Sequence, residues 1–69
     1  MEIGRTLREA RMRQGIDISD VEAQTKIRAK FLRALENEEW SVIPEEVYVR
    51  KFLETYATSL KLDPRPLVE

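Results

Sequence analysis

Neither cysteine nor histidine occurs in this sequence. Their joint absence removes disulfide staples, thiol nucleophiles, imidazole bases and the two best zinc ligands. Stability then has to come from packing, in a chain of 69 residues where a single hydrophobic core leaves only a few kcal/mol of net stability. Glycine and proline are scarce, at two and three residues, and nothing is repeated or low in complexity, so one compact unit without a linker is expected. Apolar runs reach only two or three residues, against the ~20 that a bilayer-spanning helix needs. That predicts a soluble fragment with neither signal peptide nor membrane span. A glycine-rich phosphate cradle is also missing. The carboxylate pairs Glu38/Glu39 and Glu45/Glu46 fall in a loop and at a helix start, where capping and solvation account for them. A chain this short is expected to offer no hollow of ~300 Å³ or more, the size a ligand site usually occupies. These absences point away from enzymatic activity, and no catalytic, cofactor-binding or metal-ligating residue is assigned.

What is present is charge, unevenly placed. The net charge is −1, which gives no bulk attraction to nucleic acid. Met1 to Ala34 holds eight Lys/Arg against five Asp/Glu, or +3, whereas Leu35 to Glu69 holds four against eight, or −4. A phosphate-binding reading can use only the first half.

Hydrophobic periodicity divides the chain into helices. Ile3, Leu7 and Ala10 recur at helical spacing, with Arg5, Arg8, Glu9 and Arg13 on the other faces, and Gly15 sits where a helix C-cap takes a left-handed residue. In "GIDISDVEAQ" two starts compete: Asp17 with Asp20, or Ser19 with Glu22. Asp17 is preferred because it lets Ile18 and Val21 both face inward. This second helix ends near Gln24. "TKIR" is the turn, with Ile27 plugging the core, and "AKFLRALEN" supplies Phe31, Leu32 and Leu35 on a third helix that stops around Asn37. Trp40 and Ile43 are too apolar for the loop they occupy and are expected to fold back over the core. Pro44, followed by Glu45 and Glu46, starts a fourth helix that runs to about Leu60. Asp63 with Pro64 signals a one-turn fifth helix over Arg65 to Val68. The expected core is Leu7, Ile18, Val21, Ile27, Phe31, Leu35, Trp40, Leu53 and Tyr56.

Two surfaces stand out. The second and third helices, with their short turn, match a helix-turn-helix in which the third helix would present Arg28, Ala29, Lys30 and Arg33 to the DNA major groove. The three cations suit phosphates or guanine edges; as a scaffold helix, the same residues form a solvated basic face. The fourth helix carries the other surface. At about 100° per residue, with Tyr48 as zero, Val49, Leu53, Tyr56 and Leu60 form the core stripe. Phe52 and Tyr48 fall on its shoulder beside Thr55, Ser59 and Lys51. Rigid rings flanked by small polar residues are what a protein-binding hot spot looks like, and the same rings would serve a homodimer. The plainer alternative is that both rings wrap the core.

The stretch "IGRTLREARMRQGIDISDVEAQTKIRAKFLRALENEEWSVIPEEVYVRKFLETYATSLKLDP" resembles the N-terminal cytoplasmic domain of the RodZ family of bacterial cell-shape proteins. The most specific pieces are "TKIR" with "FLRALEN", the "EEW" loop, and "VYVRKFLETYA" before "LKLDP". The first half also resembles the Xre/Cro repressors, although those commonly place a small polar residue where this sequence has Arg28. The resemblance implies an all-α fold: a bundle of four main helices plus a short fifth, built on a lambda-repressor-like helix-turn-helix. It further implies a non-enzymatic adaptor without cofactors, whose fourth helix binds the bacterial actin MreB. Tyr48 and Phe52 are its leading contacts, with Arg50, Lys51 and Tyr56 beside them. Lys51 stands where many relatives carry glycine, and it either tightens contact with an acidic filament surface or crowds it. Residues 1–69 are then a single domain excised from a longer protein with one transmembrane helix, lying at the cytoplasmic face of the inner membrane. The runner-up is a sequence-specific DNA-binding regulator acting through Arg28, Lys30 and Arg33.

Overall fold

Helix boundaries fall where local chemistry stops or starts each helix. A computed structural model describes residues 2–68. In it α1 (Ile3–Arg13) ends ahead of Gly15, which takes the left-handed conformation (φ +65°) that costs glycine nothing. The next helix, α2 (Ile18–Thr25), begins from Asp17 rather than Ser19, and the Asp17 N–H donates to the Asp20 carboxylate at 2.8 Å. It runs one residue beyond the expected Gln24. The Thr25 hydroxyl bonds back to the Val21 carbonyl (2.8 Å) and accepts from the Ile27 N–H (3.1 Å), carrying the chain round the turn. Helix α3 (Ala29–Asn37) stops at the expected residue, followed by Glu38 in the left-handed region (φ 55°).

The fourth helix, α4 (Glu46–Ser59), corrects one expectation: Pro44 is not in its first turn. Glu45 is extended (φ −137°, ψ 146°) and occupies the N-cap position, so Pro44 belongs to the connection that leads out of a single 3₁₀ turn at Trp40–Val42. Asp63 does cap α5 (Arg65–Val68), its carboxylate accepting from the Arg65 N–H at 3.0 Å. Among the described residues every regular element is helical.

The bundle has α3 at its centre, with α1, α2 and α4 all packed against it, while α2 also meets α4 and α5 closes on α4. Leu7, Val21, Leu32, Leu35, Tyr56 and Leu60 are the largest wholly buried side chains. Ile27, Ile43, Leu53 and Leu67 complete the apolar interior. Three expected core residues, Ile18, Phe31 and Trp40, are only half-buried against it. Ile18 and Trp40 are the first residues of their elements, and Phe31 lies in the first turn of α3.

One charged residue joins this interior. Glu36 is 7% exposed, and it follows Leu32 by four residues and Leu35 by one, so its carboxylate lies on the apolar stripe of α3. Burying a lone carboxylate is costly, and here the cost is offset by partners from two other helices. Arg11 donates through Nε at 2.7 Å and Nη2 at 3.1 Å, Arg8 donates through Nε at 3.4 Å, and the Tyr56 hydroxyl donates to Oε2. Burial pushes the Glu36 carboxyl up, but the hydrogen bonds from Arg11 and Tyr56 and the charge of Arg11 outweigh it. The group ends below its ordinary value. Burial and then the bond to Glu36 push the Tyr56 phenol above its own. Helices α1, α3 and α4 are thereby tied at one point.

Candidate partner-binding surface on the fourth helix

Rotation of α4 is set by Leu53, Tyr56, Ala57 and Leu60, all buried along one face. With that face fixed inward, geometry alone places the rest. Tyr48 comes out 45% exposed and Phe52 half-buried. Their rings stack at 5.9 Å between centroids with 22° between planes, and Phe52 in turn meets Phe31 of α3 at 5.6 Å and 31°. The result is a ladder of three rings that starts at the half-covered edge of α3 and ends in solvent at Tyr48. Lys30 extends it, its Nζ lying 5.1 Å over the Phe31 ring.

The five residues expected to meet a partner do not all share this surface. Tyr48, Phe52 and the exposed Lys51 do. Tyr56 does not: it is 0% exposed, and its hydroxyl is spent on Glu36, so the folded domain cannot present it. Arg50 lies about 200° round the helix from Tyr48. It pairs with Glu54 at 3.5 Å and lines a separate furrow with Val47, Leu53 and Leu67. Two residues along a helix reverse the direction of a side chain, which is why neighbours in sequence part company here.

Arg28, at the N-cap of α3, and Lys30 and Arg33 on the helix are exposed, as expected for a helix that could meet nucleic acid. The N-terminus of that helix is not free, however. The Glu22 carboxylate of α2 reaches across the turn and accepts from the Ala29 N–H at 2.8 Å. A negative charge therefore occupies the position where a DNA phosphate gains most from the helix end. Glu22 entered the sequence reading only as part of a rejected capping box, and its spacing of seven residues from Ala29 carries no local signature.

The expectation that no hollow would reach ~300 Å³ fails. Beside the ring ladder an open furrow of about 330 Å³ runs between the turn of the helix-turn-helix and α4.

The five α-helices among the described residues, with α2 and α3 forming the helix-turn-helix and α3 at the centre, define a small helix-turn-helix domain. A family described as helix-turn-helix domain matches residues 6–67. The chain belongs to that family, as a helix-turn-helix domain of the RodZ type. It is 33% identical over 67 residues, 97% of its length, to the cytoskeleton protein RodZ of Streptococcus pneumoniae. It is 39% identical over 54 residues, 78% of its length, to the uncharacterized membrane protein YmfM of Bacillus subtilis. The chain spans only 24% and 19% of the lengths of those two relatives. No solved structure gives a significant match. Among the described residues no helix is long and apolar enough to cross a membrane.

Proposed function

We propose that this domain is a non-enzymatic cytoskeletal adaptor that binds the bacterial actin MreB through α4, within a longer membrane-anchored protein that maintains rod shape. The observation that carries the reading is the exposed Tyr48 ring stacked on Phe52. A large aromatic held in place by a second ring binds with little further loss of conformational freedom. Lys51, exposed, flanks the pair. The names of the two relatives, a cytoskeleton protein and a membrane protein, support the same direction. On this reading the domain sits at the cytoplasmic face of the membrane and the anchor lies elsewhere in the parent chain.

The second reading, a DNA-binding regulator of the Xre/Cro type, is favoured by one observation: Arg28 at the N-cap of α3, and Lys30 and Arg33 on the helix, are all exposed. Against it stand the Glu22 carboxylate at the start of α3 and the excess of acid in the second half of the chain. Co-sedimentation with MreB filaments, run beside titration of a DNA duplex at low and high salt, separates the two. Filament binding with no salt-sensitive duplex binding is expected. Duplex binding that falls steeply as salt rises, together with no pelleting on filaments, would replace the first reading with the second.

A further inference from the structure

The furrow beside the ring ladder has a composition that its surroundings do not explain. Its floor is apolar, made by Ile27, Phe31 and Phe52, and its rim carries Lys26, Arg28 and Lys51. All three cations are exposed, and among the described residues none of them lies within ion-pair distance of a carboxylate. Five cations elsewhere, Arg5, Arg8, Arg11, Arg50 and Arg65, each pair with an acidic side chain of the domain itself, while among the described residues Arg13, Lys30, Arg33 and Lys61 are without an ion pair, like the three on the rim. What sets the furrow apart is that three such cations gather round one apolar floor. Lys26 holds the left-handed conformation at the end of α2 (φ 66°). Threonines at both ends, Thr25 and Thr55, line the furrow too.

We infer that this furrow is a docking site for an acidic peptide segment carrying an apolar anchor residue. The anchor covers Ile27, Phe31 and Phe52, and flanking carboxylates meet Lys26, Arg28 and Lys51. Charge complementarity selects this occupant, because the rim offers cations and no acid while the floor offers nothing to a hydrophilic chain. A duplex fits less well. Its rigid backbone cannot lower an apolar side chain onto the floor. The volume, about 330 Å³, suits one or two side chains rather than a folded surface. The furrow shares Phe52 and Lys51 with the surface proposed for the filament, whereas Tyr48 is not part of its wall, so Tyr48→Ala separates the two.

The test is fluorescence polarisation with the folded domain and a short labelled peptide of aspartates and glutamates around one central leucine. Two control peptides replace the leucine by serine, or all acids by their amides. The parent peptide should bind, and each control should bind about tenfold more weakly or worse. Substituting Arg28→Gln and Lys51→Gln together, both at exposed positions, should weaken the parent peptide by a similar factor while the melting midpoint holds. Tyr48→Ala should leave peptide binding within about twofold, as a change outside the site does. Equal binding of the serine control, indifference to the double substitution, or tighter binding of a DNA duplex than of the peptide would each overturn the inference.

Discussion

The Tyr56 hydroxyl of α4 donates a hydrogen bond to the Glu36 carboxylate of α3, and Arg11 of α1 grips the same carboxylate from the other side. Three helices that share little sequence-local structure are thus joined through one buried anion. Because α4 is oriented by this contact, the rings on its shoulder take their direction from it.

Tyr56→Phe removes the hydroxyl and leaves the ring. A hydrogen bond to a charged group contributes about 1.5–3 kcal/mol, and in a domain this small each kcal/mol moves the melting midpoint by roughly 4–8 °C. A cooperative transition at clearly lower temperature is expected. An unchanged midpoint would show that the bond to Glu36 contributes nothing.

Acid should unfold the domain through the same residue. The folded-state pKa of Glu36 lies below its ordinary value, so the folded state holds its proton more weakly than the unfolded chain does. The associated stability is complete above the unfolded carboxylate pKa of about 4.3 and is lost as pH falls through the lower, folded value. Asp63 is also depressed, to about 2 by its hydrogen bonds with Arg65, but it is exposed at the start of α5 and titrates in solvent. Melting curves from neutral pH down to about pH 3 check this: the midpoint should fall steeply in the parent and much less in Glu36→Gln, which starts lower. Parallel pH profiles for the two would contradict the account.

Gly4→Ala gives a third test, and its sign is diagnostic. Alanine ordinarily favours a helix over glycine by about 1 kcal/mol. Here a Cβ on Gly4 would lie 2.1 Å from the Glu36 carbonyl oxygen and 3.0 Å from the Glu38 Cγ. The Gly4 N–H also donates to the Glu38 carboxylate at 2.9 Å, so the backbones of α1 and α3 cannot separate without losing that bond. Overpacking of this kind costs about 1–3 kcal/mol. Denaturant melts should show destabilisation; a gain in stability would mean that α1 does not approach α3 as described.

The helices and the inward face of α4 were legible because each rests on a repeating local signal. Asp17 with Asp20, Gly15, and Asp63 before Pro64 mark their ends by capping chemistry, and Leu53, Tyr56 and Leu60 mark the buried stripe by spacing. What escaped depends on contacts between distant residues. Glu36 looked like one more acid in an acidic half, although its place four residues after Leu32 puts it on the core stripe, and its partners Arg8 and Arg11 lie on another helix. Glu22 capping Ala29 is likewise a contact across a turn. Tyr48 and Phe52 could be placed on a shoulder by angle, but their stacking with Phe31 required knowing that α3 and α4 touch. Arg50 shows the opposite lesson: angular arithmetic separates it from Tyr48 by most of a half turn, and family resemblance alone had grouped them.

The central claim is that the exposed ring of Tyr48 binds the filament, and core and interface residues fail differently when cut back. Tyr48→Ala should leave the melting midpoint nearly unchanged, within about 0.5 kcal/mol as for other surface positions. It should weaken binding to MreB by about 2 kcal/mol or more, as truncation of a hot-spot residue does. Phe52→Ala should show some of both losses, since Phe52 is half-buried between Tyr48 and Phe31. The decisive measurement is co-sedimentation of Tyr48→Ala with MreB filaments, with a melting curve on the same preparation. A folded variant that no longer pellets is the result expected here, and a folded variant that pellets as well as the parent would contradict the interface on α4.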